Sequence, residues 1–483
     1  MLFNSVRFAV FFPCVVFFYF LLPHRYRWVL LLAASYYFYM CWKAEYLILI
    51  LISTAIDYVA ALRIAYSPRP RVRTTLLVLS LLGNFGLLFA FKYFNFFNES
   101  MRTLFARFNL LYDVPNLHVL LPVGISFYTF QSVSYTIDVY LGRRAPERHL
   151  GIFALYVAFF PQLVAGPIER ADRLLPQFRE SHVWHPERVV DGLQLMAWGF
   201  FKKLVIADRL AVFVTEVFSH AGTYHGAPVW LAAYFFSVQI YCDFSGYSDI
   251  AIGAAQIMGF RLIDNFRQPY MAPDIAEFWR RWHISLSTWF RDYVFIPLGG
   301  SRVGAVRRCR NLLATFLISG VWHGANWTFL VWGGLHGGYY ILSQWTRPLR
   351  DRLAAVSGFA RFPALRQAVR IAITFHMVTF AYIFFRANSV NDAFVTIRSL
   401  FAFGDPLTRV RVSLTPRDFA AGIVFAAAML VVEGMWGKQN PSCGRSPFAD
   451  RPKWVRCVFY YVVVMSVLVF GKFTANPFIY FQF

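Results

Sequence analysis

Long apolar runs separated by short basic stretches extend along this chain from residue 8 to residue 470. A helix needs roughly 20 apolar residues to cross the hydrocarbon core of a bilayer, and many runs approach that length. We therefore predict an all-α, polytopic membrane protein with roughly eleven crossings. The candidate spans are 8–22, 28–52 (or on to 62), 76–97, 120–140, 151–165, 192–218, 229–258, 311–321, 327–342, 371–385, 419–432 and 455–470.

Several of these runs are too short to cross or contain glycine and proline, which predicts re-entrant or interfacial helices around an irregular polar core. The first run lacks a small-residue cleavage signature after it, so we expect a retained first helix. No low-complexity linker or internal repeat divides the sequence. We expect a single integral-membrane domain over residues 1–483.

Composition and charge support the membrane interpretation. The chain is 58% hydrophobic and only 15% charged, with a mean hydropathy of +0.48, too apolar for a water-soluble globule. The net charge of +22 is concentrated in short connections such as 69–73, 302–310 and 347–370. Basic loops of this kind orient a membrane protein and contact lipid head groups, and some arginines are expected to bind an anionic ligand. No basic-aromatic module favours nucleic acid, and the cysteine spacing argues against a disulfide scaffold or a metal site.

The polar stretch 265–302 reads "NFRQPYMAPDIAEFWRRWHISLSTWFRDYVFIPLGGSR". Asp274 followed by Glu277 predicts a capped helix start, with the helix running to about Phe295 before proline and two glycines end it. Glu277 is predicted to pair with Arg281 one turn later. A helix this charged cannot face lipid tails, so it should lie at the interface or line a water-filled cavity.

Along this helix, Arg280, His283 and Ser287 are predicted to share a polar stripe. The flanking Arg280 and Arg281 would suit a phosphate or carboxylate group near His283. The sequence supports an alternative equally well, in which the helix is interfacial and its arginines contact lipid phosphates.

The run "SGVWHGANWTFLVWGGLHGG", residues 319–338, places ionisable side chains in an apolar setting. His323 must face the protein interior or a cavity, since exposing it to lipid is costly. Gly320 and Gly324 permit close approach of a backbone or ligand, while Asn326 and Trp327 are predicted on the histidine's side of the helix. The alternative is a buried histidine satisfied by one hydrogen bond.

His336 lies thirteen positions after His323, about 220° further around a helix, and we interpret it as a packing residue. The chain has no histidine followed five residues later by aspartate, no H-E-x-x-H motif and no phosphate-binding P-loop. These absences argue against a soluble-type glycerolipid acyltransferase, a zinc protease and a P-loop ATPase.

Two further runs carry polar side chains between apolar ones. "YCDFSGYSDIAIG", residues 241–253, contains Asp243, Ser245 and Tyr247; its carboxylates should be paired, and the arginines of 265–310 are the expected partners. A structural knot, meaning a cluster of side chains joined by hydrogen bonds, is favoured there over direct catalysis. "LPVGISFYTFQSVSYTIDVYLG", residues 121–142, predicts either a lined tunnel or a helix joined to its neighbours by hydrogen bonds.

Several ordered motifs together resemble the membrane-bound O-acyltransferase family, in its bacterial alginate O-acetylation branch, whose relatives serve cellulose, peptidoglycan and teichoic acid. The motifs are "LPVGISFYTFQSVSYTIDVY", "FFPQLVAGPIER", "YCDFSGYSDIAIG", "EFWRRWHISLSTWFRDYVFIPLGG", "NLLATFLISGVWHGANWTFLVWGGLHG" and "NPFIYFQF". The resemblance covers nearly the whole chain. It implies a multi-helix bundle around a central tunnel that joins a cytoplasmic donor site to the opposite face.

By resemblance, the catalytic histidine is His323 and the second, more variable position is His283. The implied donor is acetyl-coenzyme A as a substrate, with no bound cofactor. The acetyl group would pass to a periplasmic SGNH-type acetyltransferase partner or towards a polysaccharide, from the bacterial inner membrane. The residues expected to line the substrate tunnel are Arg280, Arg281, Trp322, Asn326, Trp327, Asp243, Ser245 and Tyr247.

Two rival classes stay open beside acyl transfer to an alginate- or cellulose-like polymer or to peptidoglycan. A non-catalytic transporter would export an acetyl carrier or glycan, but inverted repeats and ion-coupling motifs are missing. A scaffold would use the charged loops to recruit periplasmic enzymes.

Overall fold

The computed structural model describes residues 1–163, 166–402, 415–436, 451–473 and 478–479. Within these ranges the regular structure is helical and no β-strand occurs, so the predicted all-α class is confirmed there. The α-helices are α1 (Val6–Leu21), α2 (His24–Met40), α3 (Leu47–Tyr66), α4 (Pro70–Leu88), α5 (Phe94–Arg107), α6 (Ile125–Tyr140), α7 (Leu150–Ala158), α8 (Phe160–Leu163), α9 (Ala171–Gln177), α10 (Pro186–Phe200), α11 (Asp208–Ser219), α12 (Ala227–Met258), α13 (Ile275–Arg281), α14 (Ile284–Phe290), α15 (Ala305–His323), α16 (Trp327–Trp345), α17 (Arg347–Val356), α18 (Pro363–Arg386), α19 (Val390–Phe401), α20 (Pro416–Trp436) and α21 (Lys453–Phe470).

Among the described residues, five helical stretches are long and apolar enough to cross a membrane, by length and composition. These stretches are Ala44–Tyr66, Pro70–Arg107, Pro363–Arg386, Pro416–Met435 and Lys453–Phe470. They agree with a multi-pass membrane protein, whereas the count of roughly eleven crossings stays a prediction.

The prediction of one continuous span over residues 28–52 is wrong. Helix α2 ends at Met40 and α3 begins at Leu47, with a short 3₁₀ turn, Ala44–Tyr46, between them. Lys43 and Glu45 form an ion pair in this connection, at 3.3 Å between Nζ and Oε2. Charged side chains are costly in hydrocarbon, so a pair inside an apolar run marks the end of one helix and the start of the next.

The chain divides into two compact units, and the first contains Met1–Met196 and Tyr247–Ile263. In it α3 packs on α4 and α6, and α2 packs on α7. The fully buried carboxylate of Asp57 on α3 accepts hydrogen bonds from Ser80, Asn84 and Thr136, at 2.5, 3.0 and 3.0 Å. The polar side chain of Thr136 on α6 therefore joins helices to one another. Of the two interpretations of residues 121–142, this contact favours the hydrogen-bonded helix.

The second unit contains Ala197–Gly246 and the described residues from Asp264 onward. Helices α15 and α16 pack against each other, and α16 also packs on α18 and α13. Elsewhere in this unit, α11, α20 and α21 gather around a π-helical segment, Phe201–Ala207. The histidines singled out from the sequence at 283, 323 and 336 all belong to this unit.

Candidate active site

The helix predicted to run from Asp274 to Phe295 starts as expected but is broken in the middle. Asp274 caps α13 by accepting a hydrogen bond from the Glu277 backbone N–H at 2.9 Å, which confirms the predicted start. The helix then ends at Arg281, and a new one, α14, begins at Ile284. The prediction of a continuous helix is therefore wrong, and the break falls at His283.

His283 itself makes this break. Its backbone is left-handed, with φ +43°, a conformation that costs a non-glycine residue about 1–2 kcal/mol. Its ring Nδ1 accepts a hydrogen bond from the Leu286 backbone N–H at 3.3 Å, so His283 is the N-cap of α14. Because Nδ1 accepts, the proton of the neutral ring is on Nε2.

The His283 side chain is fully buried among aromatic rings. Its ring centroid lies 4.6 Å from that of Phe244 and 6.2 Å from that of Trp322. Burial lowers the pKa of His283 to about 3, because a charged imidazolium is poorly solvated there. At neutral pH His283 is therefore an uncharged hydrogen-bond donor through Nε2–H.

The break also separates His283 from the arginines predicted to share its stripe. Arg280 and Arg281 lie in the last turn of α13, and each forms an ion pair with Glu277 at 2.8 Å. The Glu277–Arg281 pair is as predicted. The Arg280 side chain is 70% exposed, whereas His283 is buried, so the predicted polar stripe is wrong.

His323 is the last residue of α15. Its side chain is 2% exposed, and its ring centroid lies 4.8 Å from Trp332, 5.0 Å from Trp322 and 5.4 Å from Phe385. These aromatic neighbours exclude water from the imidazole.

The connection after His323 differs from the prediction that Asn326 and Trp327 continue the same helix face. Gly324 is extended, and Asn326 caps the next helix, α16, by accepting from the Thr328 N–H at 3.0 Å. The Asn326 amide also donates to the Asn388 carbonyl at 2.8 Å. Trp327, the first residue of α16, is 56% exposed. Both residues were placed wrongly because asparagine at this position ends one helix and starts another.

The close backbone approach predicted at Gly320 is confirmed. A Cβ added to Gly320 would lie 2.3 Å from the Phe329 carbonyl oxygen, and one added to Gly333 would lie 2.4 Å from that of Phe316. Real atoms do not tolerate such distances. The two glycines therefore let α15 and α16 form a tight antiparallel hairpin behind His323.

Trp322 joins the two candidate histidines. It is 4% exposed and meets the rings of His283 and His323 edge-to-face, at interplanar angles of 87° and 80°. Residues forty positions apart in sequence are thus brought to one indole side chain. His336 also packs on Trp332, at 4.8 Å between ring centroids, and its Nδ1 accepts from the Trp279 indole N–H at 3.3 Å.

Asp243 belongs to a buried ionic cluster in the same unit, and its predicted arginine partners are wrong. Its carboxylate pairs with Lys203 at 2.7 Å and accepts from the Ile479 N–H at 2.9 Å. Lys203 also pairs with Asp208 at 2.8 Å. The paired geometry agrees with a structural knot, because a buried charge needs a partner of opposite sign.

Ser245 and Tyr247, the other members of this motif, are each 1% exposed. Tyr247 belongs to the first unit, where its ring lies 5.9 Å from that of Phe3. Ser245 belongs to the second unit, as do the two histidines.

The sequence interpretation missed the lysines of this cluster. Lys202 and Lys203 lie in the π-helical segment and are 2% and 1% exposed. Lys202 faces Glu433 at 3.8 Å, and Glu433 also accepts from Tyr241 at 2.6 Å. The sequence contained a signal for this cluster, since two adjacent lysines lie inside the predicted span 192–218. Charged side chains in such a span need buried carboxylates as partners.

The described fold is that of an all-helical, multi-pass membrane protein with two buried histidines, His283 and His323, that contact one buried tryptophan. Residues 148–385 match the model of the MBOAT, membrane-bound O-acyltransferase family. The chain is 36% identical to the probable alginate O-acetylase AlgI of Azotobacter vinelandii, over 99% of both chains. It is 40% identical to the protein of that name from Pseudomonas aeruginosa, over 83% of this chain and 75% of the other.

A relative with a different printed activity is the peptidoglycan O-acetyltransferase of Helicobacter pylori, 35% identical over 77% of this chain and 73% of the other. The chain belongs to the membrane-bound O-acyltransferase family. It is an acyltransferase, and its similarity is to the alginate O-acetylase branch.

Proposed function

We propose that this protein is an O-acetyltransferase of the bacterial inner membrane. It takes acetyl groups from cytoplasmic acetyl-coenzyme A and delivers them across the membrane for O-acetylation of an extracytoplasmic polysaccharide of the alginate or cellulose type. The identity to alginate O-acetylases over nearly the full chain supports the acceptor class. A periplasmic SGNH-type acetyltransferase is the proposed partner that receives the acetyl group.

The observation that carries the chemistry is the meeting of His323 and His283 on Trp322 in a buried aromatic setting. We assign His323 the role of general base, which takes the proton from an acceptor hydroxyl as its oxygen attacks the thioester carbonyl. The C–S bond then breaks, and the thiolate of coenzyme A receives the proton from His323. An uncharged imidazole and the exclusion of water both serve this step, since water would hydrolyse the thioester.

His283 has a different role in this proposal. Its Nδ1 is occupied by the Leu286 N–H, so the ring presents only the Nε2–H. A buried N–H donor stabilises the negative charge that develops on the carbonyl oxygen in the transition state. Removal of one such donor costs roughly 10²–10³ in turnover in other acyl-transfer enzymes.

The test is acetyl transfer by the purified protein with radiolabelled acetyl-coenzyme A. His323→Ala should abolish the release of free coenzyme A, while the amount of the protein in the membrane stays normal. His336→Asn is the matched control, because His336 is as buried as His323 and also packs on Trp332, yet has no role in the proposed chemistry; the variant should leave transfer largely intact. A fully active His323→Ala protein contradicts the mechanism.

The acceptor has a second candidate, peptidoglycan, which the Helicobacter pylori relative's printed activity supports. Deletion of the gene followed by analysis of each glycan separates the two: loss of O-acetyl groups from the secreted polysaccharide supports the first, and loss from the cell wall supports the second. A conduit or scaffold role is the outcome if neither polymer depends on His323. Capture of the periplasmic partner by the His323→Ala protein would show that docking is separate from chemistry.

A further inference from the structure

Trp332, on α16, has a buried indole N–H beside the histidine assigned as general base. The residue is 1% exposed, and its ring centroid lies 4.8 Å from that of His323, at an interplanar angle of 81°. Among the described residues, the Trp332 Nε1 has no hydrogen-bond partner. Buried polar groups are almost always hydrogen-bonded, because leaving one unsatisfied is costly, so this exception needs a physical reason.

The other rings packed on Trp332 offer it no acceptor. The Phe385 ring, at 5.3 Å between centroids, has no hydrogen-bonding atom. His336, at 4.8 Å, uses its Nδ1 to accept from the Trp279 N–H, and its ring proton is therefore on Nε2. Both nitrogens of His336 are thus unable to accept from Trp332. The fold places a hydrogen-bond donor next to His323 without supplying the acceptor.

Two other tryptophans of the same unit show how the fold satisfies an indole N–H that is structural. The Trp279 N–H donates to His336 at 3.3 Å, and the Trp230 N–H donates to the Leu400 carbonyl at 3.0 Å. At Trp332 the acceptor is missing from the described part of the protein, and the position is shielded from water. An acceptor that arrives with the substrate explains a donor held in such a position.

We propose that the Trp332 N–H binds the carbonyl oxygen of the acyl group in the transition state of acyl transfer. This inference rests on the proposed function and adds a second donor to that of His283. As the acceptor oxygen bonds to the thioester carbon and His323 takes its proton, negative charge develops on the carbonyl oxygen. The indole N–H stabilises this oxyanion until the C=O bond re-forms, the C–S bond breaks and coenzyme A leaves with the proton from His323.

The test is Trp332→benzothienylalanine, introduced into the full chain by nonsense suppression. This side chain keeps the shape of the indole and has sulfur in place of the N–H. The kcat for release of coenzyme A from acetyl-coenzyme A should fall about a hundredfold, the size of the loss when one oxyanion donor is removed from other acyl-transfer enzymes. The KM should change by less than about twofold, because the donor acts in the transition state. The melting temperature should not fall, since the variant loses no hydrogen bond within the protein.

The same replacement at two other tryptophans provides matched controls. Trp279→benzothienylalanine loses the hydrogen bond to His336, so it should lower the melting temperature and leave kcat close to that of the wild type. Trp198 is also 1% exposed, and its N–H likewise has no partner among the described residues, but its ring packs on Phe201 and Phe459. Trp198→benzothienylalanine should therefore change neither kcat nor the melting temperature.

The possible results separate this inference from the proposed function. An unchanged kcat in the Trp332 variant, beside an inactive His323→Ala protein, overturns the role of Trp332 and leaves the proposed function standing. A fall in kcat that comes with a lower melting temperature, or that the Trp198 variant shares, also overturns it, because the N–H is then structural or the replacement acts non-specifically. If His323→Ala releases coenzyme A at the wild-type rate, the proposed function fails and the role of Trp332 fails with it.

Discussion

At the scale of single residues, His283 combines two features that are each uncommon, a left-handed backbone and an N-cap made by an imidazole. Strained backbone persists where the surroundings hold it, and it is frequent at functional sites. Here it bends the chain so that the His283 ring turns inward towards Phe244 while Arg280 stays outside. The backbone break, rather than the helical periodicity, therefore decides which side chains face the interior.

Substitutions at His283 should distinguish its role as the N-cap of α14 from its proposed role in acyl transfer. Asparagine tolerates the left-handed region and caps helices well, so His283→Asn should keep close to wild-type stability. Alanine loses the cap and should lower stability by about 1 kcal/mol. Thermal unfolding in detergent measures the difference, and equal melting temperatures for the two variants contradict the assigned cap.

The low pKa of His283 predicts a stability change on the acid side. Its folded pKa is about 3, against an ordinary value of 6.5, so between these values the unfolded chain binds the extra proton. Stability is thus complete above about pH 6.5 and falls as the pH drops towards 3, by about 2 kcal/mol between pH 6.5 and pH 5.

The measurement is the melting temperature at pH 7 and pH 5 for the wild type and for His283→Asn. The asparagine variant should lose less stability on acidification, since it has no imidazole to protonate. The same loss in both proteins would mean that other groups cause the acid sensitivity.

At the scale of helices, the α15–α16 hairpin depends on glycines at one face only. Gly320 and Gly333 lie where the two backbones meet, whereas the nearest atom to a Cβ on Gly334 would be a Leu317 methyl at 3.8 Å. This geometry holds His323 at the end of α15 and brings Trp332 against its ring.

Neighbouring glycine substitutions should therefore have opposite results. Gly333→Ala forces a methyl into the Phe316 carbonyl and should destabilise by about 1–3 kcal/mol, with loss of acetyl transfer as the hairpin opens. Gly334→Ala meets only ordinary van der Waals contact and should be neutral or slightly stabilising, because alanine favours helix. Melting temperature and transfer rate measure both; similar behaviour of the two variants counts against the close-packed hairpin.

At the scale of helices, capping residues and side-chain spacing in the sequence predicted some features and missed others. The Asp274 cap and the Glu277–Arg281 pair were predictable because both lie within four residues along the chain. The break at His283 was not predicted, since the aromatic and apolar positions continue through it at helical spacing. The separate candidate spans 311–321 and 327–342 agree with the helix end at His323, but the placement of Asn326 and Trp327 on the helix face of His323 ignored that end. The N-cap asparagine, Asn326, was the available signal for it.

At the scale of the whole molecule, buried charge connects distant parts of the chain. Lys203 pairs with Asp208 and Asp243, all at most 3% exposed, and Asp243 also accepts from the backbone of Ile479. Such a cluster stabilises the fold only when all members are present, because each lone charge is poorly solvated.

Removal of the shared lysine is the corresponding test. Lys203→Met leaves two buried carboxylates without their cation and should cost about 3–5 kcal/mol, seen as a fall in melting temperature and in monodisperse yield. Arg102→Gln is the control, because Arg102 forms a largely exposed pair with Glu99 and should cost less than about 1 kcal/mol. A Lys203→Met protein as stable as the control would contradict the assigned ionic cluster.

The sequence by itself determined the membrane class, the helical content, the main helix starts and the family, because these depend on local hydropathy, capping residues and motifs. It also singled out His323, His283 and Trp322. Only the tertiary structure decided that these three side chains meet, that Asp243 pairs with Lys203, and that Arg280 is exposed whereas His283 is buried. The physical reason is that periodicity within a helix says which residues share a face, whereas the partner of that face depends on how helices distant in sequence pack.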